Sequence, residues 1–169
     1  RNKGAEAARG ELLLFVDADI TLPENFLQKA LQEFKQRKLE AGSFFIYPAS
    51  DKAWHKFLFN FFYNYPIRWF NRIWPHGAMT YLVKKELHQE VGGFDEEIVF
   101  LEDLEYIRRV AKAGKYRLQK STHIFTSIRR FEKHGWVKTY FKLLTGDFLM
   151  LFGRTFEENI FNYDFNNHD

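Results

Sequence analysis

The chain has 169 residues, of which 46% are hydrophobic and 19% aromatic, and its formal net charge is +3. This length and apolar content predict one globular domain with its own core. The small net charge, with the two signs mixed along the chain, argues against nucleic acid as a partner, and the absence of cysteine excludes disulfide bonds and thiolate metal sites.

The N-terminal residues predict a short helix followed by a buried strand. Residues 4–9 have helix-forming composition, and Gly10 is typical of a helix end. Residues 12–16 are all apolar, which predicts a strand covered on both faces of a sheet. Asp17 and Asp19 follow this strand directly. Because ligands of open α/β sheets bind outside the carboxyl ends of the strands, these two carboxylates are predicted to hold a metal ion or a polar ligand.

Helix and strand patterns alternate in the next part of the chain. Pro23 is typical of a helix start, and apolar residues recur after it at helical spacing, which predicts a helix from about Pro23 to Leu39. Residues 41–48 are rich in Phe, Ile and Tyr and predict the next strand. This alternation is typical of an α/β fold.

Aromatic residues are concentrated in two segments. Residues 51–74 predict an aromatic helix that breaks near Pro66, and residues 132–158 predict an aromatic helical region interrupted at Gly146-Asp147. These helices could belong to the core. They could also form an interfacial surface, because Trp, Tyr and Phe beside Lys and Arg are the mixture that favours a lipid headgroup boundary. The sequence leaves both interpretations open.

The central part of the chain carries a small-residue turn and an acidic helix start. His76-Gly77-Ala78 is predicted to be a turn that leads into a strand ending at Val83. Glu102 and Asp103 begin a helix predicted to end near Gly114, and the helix dipole stabilises carboxylates at that position. The other elements predicted here are a helix at residues 84–91 and short strands at residues 116–118 and 123–126.

Five segments form an ordered pattern over roughly residues 1–135. They are Arg1-Asn2-Lys3-Gly4, Asp17-Ala18-Asp19, Gly92-Gly93-Phe94-Asp95-Glu96, Glu102-Asp103 with Arg108-Arg109, and Ser127-Ile128-Arg129-Arg130-Phe131. In order and spacing these segments resemble the nucleotide-sugar glycosyltransferases of family 2. The resemblance implies an α/β GT-A fold, which is a Rossmann-like mixed sheet flanked by helices. Members of this family carry nucleoside-binding strands before the first matching segment, so the chain is expected to be a single partial domain, truncated at the N-terminus.

The resemblance assigns the carboxylates to two roles. Asp17 and Asp19 would hold Mn²⁺ or Mg²⁺ at the donor diphosphate, with Asp19 the better candidate for the direct ligand. Asp103 would be the general base that removes the proton of the acceptor hydroxyl, with Glu102 or Glu105 as alternatives. The competing interpretation is that these acids only cap helices.

The resemblance also implies a third metal ligand and two further binding segments. His123 stands where several relatives have a late metal ligand, although a structural histidine would look the same. Arg129 and Arg130 would meet the diphosphate, because a guanidinium matches phosphate oxygens; a solvated basic turn is the alternative. The turn of His76, Gly77 and Ala78 would line the pocket for the donor sugar and the acceptor.

The leading hypothesis is therefore an inverting, metal-dependent glycosyltransferase. It would move a sugar from a nucleotide-diphosphate donor to a hydroxyl of a glycan or lipid-linked acceptor, in the biosynthesis of cell-envelope polysaccharide. The expected location is the cytoplasm, with peripheral contact to the cytoplasmic face of the membrane through the aromatic helices. Two alternatives remain: an inactive fragment or interaction module that binds a membrane or a partner chain through its aromatic face, and a nucleotidyltransferase of similar architecture.

Overall fold

The structure is a computed structural model and describes residues 1–77, 79–98 and 100–151. The strands are β1 (Leu12–Val16), β2 (Ile20–Thr21), β3 (Ala41–Pro48), β4 (Thr80–Lys84) and β5 (Tyr116–Thr126). The helices are α1 (Asn2–Ala7), α2 (Phe26–Gln36), α3 (Ala53–Phe59), a π-helical segment (Asn60–Asn64), α4 (Tyr65–Phe70), α5 (Lys85–Glu90), α6 (Glu102–Ala113), α7 (Arg129–His134) and α8 (Trp136–Leu151).

The five strands form one mixed sheet in the order β1-β4-β3-β5-β2. Strands β3 and β5 are parallel, and the other neighbours pair antiparallel. It follows that β1, β3 and β5 all run in one direction, so their carboxyl ends lie at the same edge of the sheet, beside the start of β4. Residues that follow these three strands are brought together there, as in other open α/β sheets.

Helices cover both faces of the sheet. Successive residues of β4 point to opposite faces, so Tyr81 and Val83 pack in one cluster and Leu82 packs in the other. The first cluster includes residues of α5 and α6, and the second includes residues of α2, α3, α7 and α8. Strand β1 is covered on both faces, as predicted: Leu13 contacts the first cluster, and Leu12 and Leu14 contact the second.

Helix α2 is shorter than the predicted span of Pro23 to Leu39. It begins after Asn25, whose φ of 58° places it in the left-handed region, and it ends at Gln36. The backbone N–H of Phe26 donates to the carbonyl of Pro23, so Pro23 belongs to a turn before the helix. A prolyl residue at the start of a turn and one at the start of a helix have the same φ, which explains the wrong boundary.

Strand β5 is one continuous strand, so the prediction of two short strands was wrong. Its pairing with β3 shifts register between Phe44, which faces Gln119, and Phe45, which faces His123. In the resulting bulge the backbone N–H groups of Lys120 and Ser121 donate to a carboxylate oxygen of Glu33, at 2.8 and 2.6 Å. A side chain of α2 thus satisfies the donors that the sheet leaves unpaired.

The predicted break near Pro66 was also wrong, because α3, the π-helical segment and α4 follow one another without interruption. Within the π segment the N–H of Tyr65 donates to the carbonyl of Asn60, five residues earlier. Pro66 then lies in the first turn of α4, where its missing N–H is tolerated. The side chain of Asn64 anchors this segment by hydrogen bonds to the backbone N–H and carbonyl of Ile46.

The interruption predicted at Gly146-Asp147 does not occur, and α8 continues through Gly146. A Cβ atom at Gly146 would lie 2.6 Å from a ring atom of Phe100 and 2.8 Å from a methyl group of Leu101. Gly146 therefore allows α8 to pack closely against Phe100 and Leu101. The break in the predicted helical region lies earlier, at Gly135, which has φ of 85° and separates α7 from α8. Residues 152–158 of the predicted aromatic region lie outside the described residues.

None of the described helices combines the length and the apolar character that crossing a membrane requires.

Candidate functional site

A cavity of about 570 Å³ opens at the sheet edge where β1, β3 and β5 end. The π-helical segment and α4 form one wall, and α8 forms another. One part of the lining is apolar and aromatic, and the other part carries four carboxylates. The polar residues of the lining that sequence analysis proposed are Asp17, Asp19, His76, Glu102, Asp103 and Arg130.

Arg1 joins two of these carboxylates. One of its guanidinium nitrogens, Nη2, lies 2.7 Å from Asp17 Oδ1, and the other, Nη1, lies 2.7 Å from Glu102 Oε1. Burial raises the pKa of Asp17, and the charge of Arg1 opposes that rise. Arg1 thus holds the end of β1 to the start of α6. Arg1 belongs to the first of the five matching segments, but the sequence indicates no role for its side chain.

Asp103 lies in the first turn of α6 with both carboxylate oxygens hydrogen-bonded. The phenol of Tyr81, a fully buried residue of β4, donates to Oδ2 at 2.8 Å, and the backbone N–H of Leu104 donates to Oδ1 at 2.9 Å. Burial raises the pKa of Asp103, and the neighbouring charge of Glu102 raises it further. A carboxylate with a raised pKa and a fixed orientation is suited to general base catalysis. The sequence contained no signal for the contribution of Tyr81.

Two non-glycine residues of the cavity lining have left-handed backbone. Met79 has φ of 67° and Leu101 has φ of 59°. The carbonyl of Met79 accepts a hydrogen bond of 2.9 Å from the N–H of Asp17, and Leu101 directly precedes Glu102. Each such conformation costs of order 1 kcal/mol and persists only where surrounding contacts hold it. The cavity therefore contains local backbone strain next to both acidic segments.

The turn before β4 packs against the sheet through the backbone of His76 and Gly77. The phenol of Tyr116 donates to the carbonyl of His76 at 2.7 Å. A Cβ atom at Gly77 would lie 2.9 Å from both the Tyr116 hydroxyl and Ser43 Cβ, so only glycine fits. His76 and Gly77 both line the cavity. Ala78, the third proposed residue of this turn, lies outside the described residues.

Asp17 and Asp19 provide the oxygen ligands that Mg²⁺ and Mn²⁺ prefer. Within residues 1–77, 79–98 and 100–151, no group of three or more acidic, histidine or cysteine side chains is arranged to hold a metal ion. Two carboxylates with the oxygens of a bound diphosphate would still suit an ion shared between protein and ligand. Because Asp17 already pairs with Arg1, Asp19 is the better placed of the two.

The structure does not bring two of the proposed residues into the cavity. The ring of His123 packs between Tyr47 and Phe125, with centroids 5.0 and 4.9 Å away, and burial lowers its pKa. His123 lies within β5, before the carboxyl end of the strand, so it does not line the cavity. Arg129 is exposed, and its Nε donates to the hydroxyl of Ser127 at 3.2 Å. Of the two arginines, Arg130 is the one that lines the cavity.

Solved structures of Staphylococcus aureus TarS resemble this fold. The structure of TarS residues 1–349 superposes with a TM-score of 0.57 and 15% sequence identity, over 83% of this chain and 43% of that chain. The same TarS segment in complex with UDP-GlcNAc gives a TM-score of 0.57 and 16% identity, over 76% of this chain and 38% of that chain. The chain thus spans less than half of these structures. The likeness confirms the predicted GT-A fold.

A search of curated proteins finds no match to the chain. The sequence profile described as glycosyl transferase family 2 matches residues 1–92, which include α1, the end of β1 with Asp17 and Asp19, and all of β3 and β4. This match covers more than half of the 169 residues. The chain therefore belongs to glycosyl transferase family 2.

Proposed function

We propose that the protein is an inverting, metal-dependent glycosyltransferase that transfers a sugar from a nucleotide-diphosphate donor to a hydroxyl acceptor. The observation that carries the proposal is the convergence of Asp17, Asp19 and Asp103 on one cavity, in a chain of this family. The TarS structures with UDP and UDP-GlcNAc support a nucleotide-sugar donor.

Asp103 is the proposed general base. It would accept the proton of the acceptor hydroxyl while that oxygen attacks the anomeric carbon and the bond to the nucleotide diphosphate breaks. The hydrogen bond from Tyr81 fixes the carboxylate, and its raised pKa favours proton acceptance. Direct displacement by one base, with no covalent intermediate, inverts the configuration at the anomeric carbon.

The donor is proposed to bind in the same acidic part of the cavity, beside Asp103. Asp19 and Asp17 would hold a divalent cation, which supplies charge neutralisation for the departing diphosphate when it is bound. Arg130 also lines this cavity and can donate to phosphate oxygens. The acceptor would be a glycan or a lipid-linked sugar, approaching Asp103 along the remaining wall.

The test is a screen of nucleotide-diphosphate sugars with the purified protein, with Mg²⁺, with Mn²⁺ and with a chelator. We expect release of nucleotide diphosphate from at least one donor, which the chelator abolishes. Asp103→Asn should reduce the rate by at least about 100-fold, the usual contribution of a general base. Asp19→Ala should weaken the dependence on the metal ion, because it removes a proposed metal ligand. Undiminished turnover in Asp103→Asn would refute the base assignment.

The matched control is Asp51→Asn, which removes an exposed carboxylate outside the cavity lining. This variant should retain the donor preference and the rate of the unmodified protein. A loss of activity in Asp51→Asn equal to that in Asp103→Asn would show that the assay reports general charge loss and not the cavity.

A further inference from the structure

The two aromatic segments expose a large apolar surface, here called the aromatic face. Twelve of the fifteen exposed large hydrophobic residues in the described part of the chain belong to residues 54–73 or to α8. The inner side of the same helices is in the core, where Phe59 and Ile67 are 3% and 6% exposed. The most exposed members of the aromatic face are Phe57, Trp69, Ile73, Val137 and Phe141.

Ring contacts join the two helical segments into one surface. Phe57 stacks on Phe61 at 5.8 Å, Phe61 contacts Phe62 at 5.0 Å, and Phe62 contacts Tyr140 of α8 at 5.0 Å. On α8 itself the exposed apolar residues recur at spacings of four, three and four, so they form one stripe along the helix. An exposed apolar surface of this extent is typical of a binding site.

Basic residues predominate in the segments that form the aromatic face. Residues 52–85 contain no Asp or Glu, and α8 contains two lysines and one aspartate, Asp147. The basic residues in these segments include Lys56, Arg68 and Arg72 around α3 and α4, and Lys138 on α8. Protein–protein interfaces are depleted in lysine, whereas Lys and Arg beside Trp, Tyr and Phe suit the boundary between anionic headgroups and acyl chains.

We propose that the aromatic face docks on the surface of an anionic lipid bilayer. Trp69, Ile73 and Phe141 would enter the boundary between headgroups and acyl chains, and Arg68, Arg72 and Lys138 would lie against the lipid phosphates. The helices would lie in the plane of the interface, as amphipathic membrane-binding helices do. The charge of the basic residues selects an anionic membrane over a neutral one.

The docked orientation places the cavity beside the lipid. Phe62, Phe70 and Leu144 belong both to the aromatic face and to the cavity lining. Deeper in the same apolar wall, Trp74 Nε1 and the Tyr140 hydroxyl are buried without a hydrogen-bond partner in the described part of the chain, so they can bind polar atoms of a ligand. Because the cavity adjoins the docked aromatic face, a lipid-linked acceptor is favoured over a free glycan. This extension of the docking proposal rests on the proposed function.

The docking is tested by flotation of the purified protein with phosphatidylcholine vesicles, with and without phosphatidylglycerol. We expect flotation only with phosphatidylglycerol, and less of it at high salt. Trp69→Ser/Ile73→Ser should weaken binding by more than about tenfold, because it removes apolar side chains from the interface. Arg72→Glu/Lys138→Glu should weaken binding by more than about tenfold, because it replaces attraction to the anionic headgroups with repulsion. Matched controls are Leu27→Ser and Lys35→Glu, two changes on α2, which should float like the unmodified protein.

Circular dichroism and thermal unfolding establish that each variant is folded, and a misfolded double variant is replaced by its single substitutions. Protein that stays in the aqueous fraction with both vesicle types would overturn the proposal. So would equal loss of binding in the α2 controls, or a concentration-dependent dimer that Trp69→Ser/Ile73→Ser abolishes while vesicle binding is unchanged.

The acceptor class is tested separately with the same variants. We expect Trp69→Ser/Ile73→Ser to lose transfer to a vesicle-borne lipid-linked sugar by more than about tenfold while hydrolysis of the donor is unchanged, because the variant loses apolar contact with the membrane. Equal transfer to the vesicle-borne acceptor by this variant would overturn the extension. If no donor is turned over by any form, the proposed function fails, whereas the flotation result still decides the docking.

Discussion

Tyr81 donates a hydrogen bond of 2.8 Å to Asp103 from a position that is fully buried in the sheet. The donor is on β4 and the acceptor is on α6, 22 residues later. Hydrogen bonding to the charged form of a carboxyl group lowers its pKa, whereas burial raises it. In Asp103 burial dominates, so the net pKa is raised and the Tyr81 hydrogen bond moderates the rise.

Tyr81→Phe should move the acidic limb of the pH–rate profile to higher pH. The active base is the deprotonated carboxylate, so activity rises with pH through the raised pKa of Asp103. Without the donated hydrogen bond the pKa of Asp103 rises further, so a higher pH is needed to deprotonate the same fraction of Asp103. The measurement is kcat/KM against pH for both forms. An unchanged acidic limb would show that Tyr81 does not act on the catalytic base.

Glu102→Gln should move the same limb in the opposite direction. The charge of Glu102 raises the pKa of Asp103, so neutralising it lowers that pKa and extends activity to lower pH. The substitution also frees Arg1 from one of its two carboxylate partners. Parallel shifts of the acidic limb in Tyr81→Phe and Glu102→Gln would contradict the electrostatic assignment, because only opposite shifts follow from it.

Arg1→Gln should impair donor binding more than it impairs folding. Arg1 bridges Asp17 and Glu102, and its loss leaves Asp17 partly buried without its counter-charge, which raises the pKa of Asp17 further. Partly exposed ion pairs contribute about 1 kcal/mol or less to the free energy of unfolding. We therefore expect a small decrease in thermal stability and a clear increase in KM for the donor. The matched control is Arg9→Gln, which removes a cation of the same segment outside this cavity.

The elements that sequence analysis predicted correctly are those whose signals are local. Residues 12–16 form a strand covered on both faces because an unbroken apolar run needs cover on both sides. Asp17 and Asp19 then reach the cavity because they directly follow that strand. Glu102 and Asp103 begin α6 for a similar reason, since acids stabilise a helix start.

The predictions that failed depend on contacts between distant parts of the chain. Pro66 continues a helix because a π-helical segment, anchored through Asn64 to β3, precedes it. Gly146 lies inside α8 because Phe100 and Leu101 occupy the space of its missing side chain. The contact of Asn64 with Ile46 and that of Gly146 with Phe100 join residues that are distant in the sequence, so no local pattern indicates them. The position of His123 between Tyr47 and Phe125, outside the cavity lining, is likewise not evident from its spacing.

Glu33→Gln should destabilise the protein at neutral pH and reduce its sensitivity to acid. Burial alone would raise the pKa of Glu33, but hydrogen bonds from Ser121, Arg37 and Lys120 give a net lowering. A carboxyl group with a lowered folded-state pKa stabilises the protein above its unfolded pKa, and that contribution is lost as the pH falls through the folded-state value. We expect a loss of about 1–3 kcal/mol in the free energy of unfolding at pH 7, measured by urea denaturation. An equal loss at low pH would contradict the linkage.

Gly146→Ala and Gly4→Ala should change stability in opposite directions, although both replace a glycine in a helix by the best helix former. At Gly146 the new Cβ would lie 2.6 Å from Phe100, so the packing must shift at a cost of about 1–3 kcal/mol, which exceeds the gain of about 1 kcal/mol in helix propensity. At Gly4 in α1 no atom lies within 4 Å, so only the gain remains. The free energy of unfolding of each variant measures the difference. Stabilisation of both would show that α8 does not pack closely against Phe100 in solution.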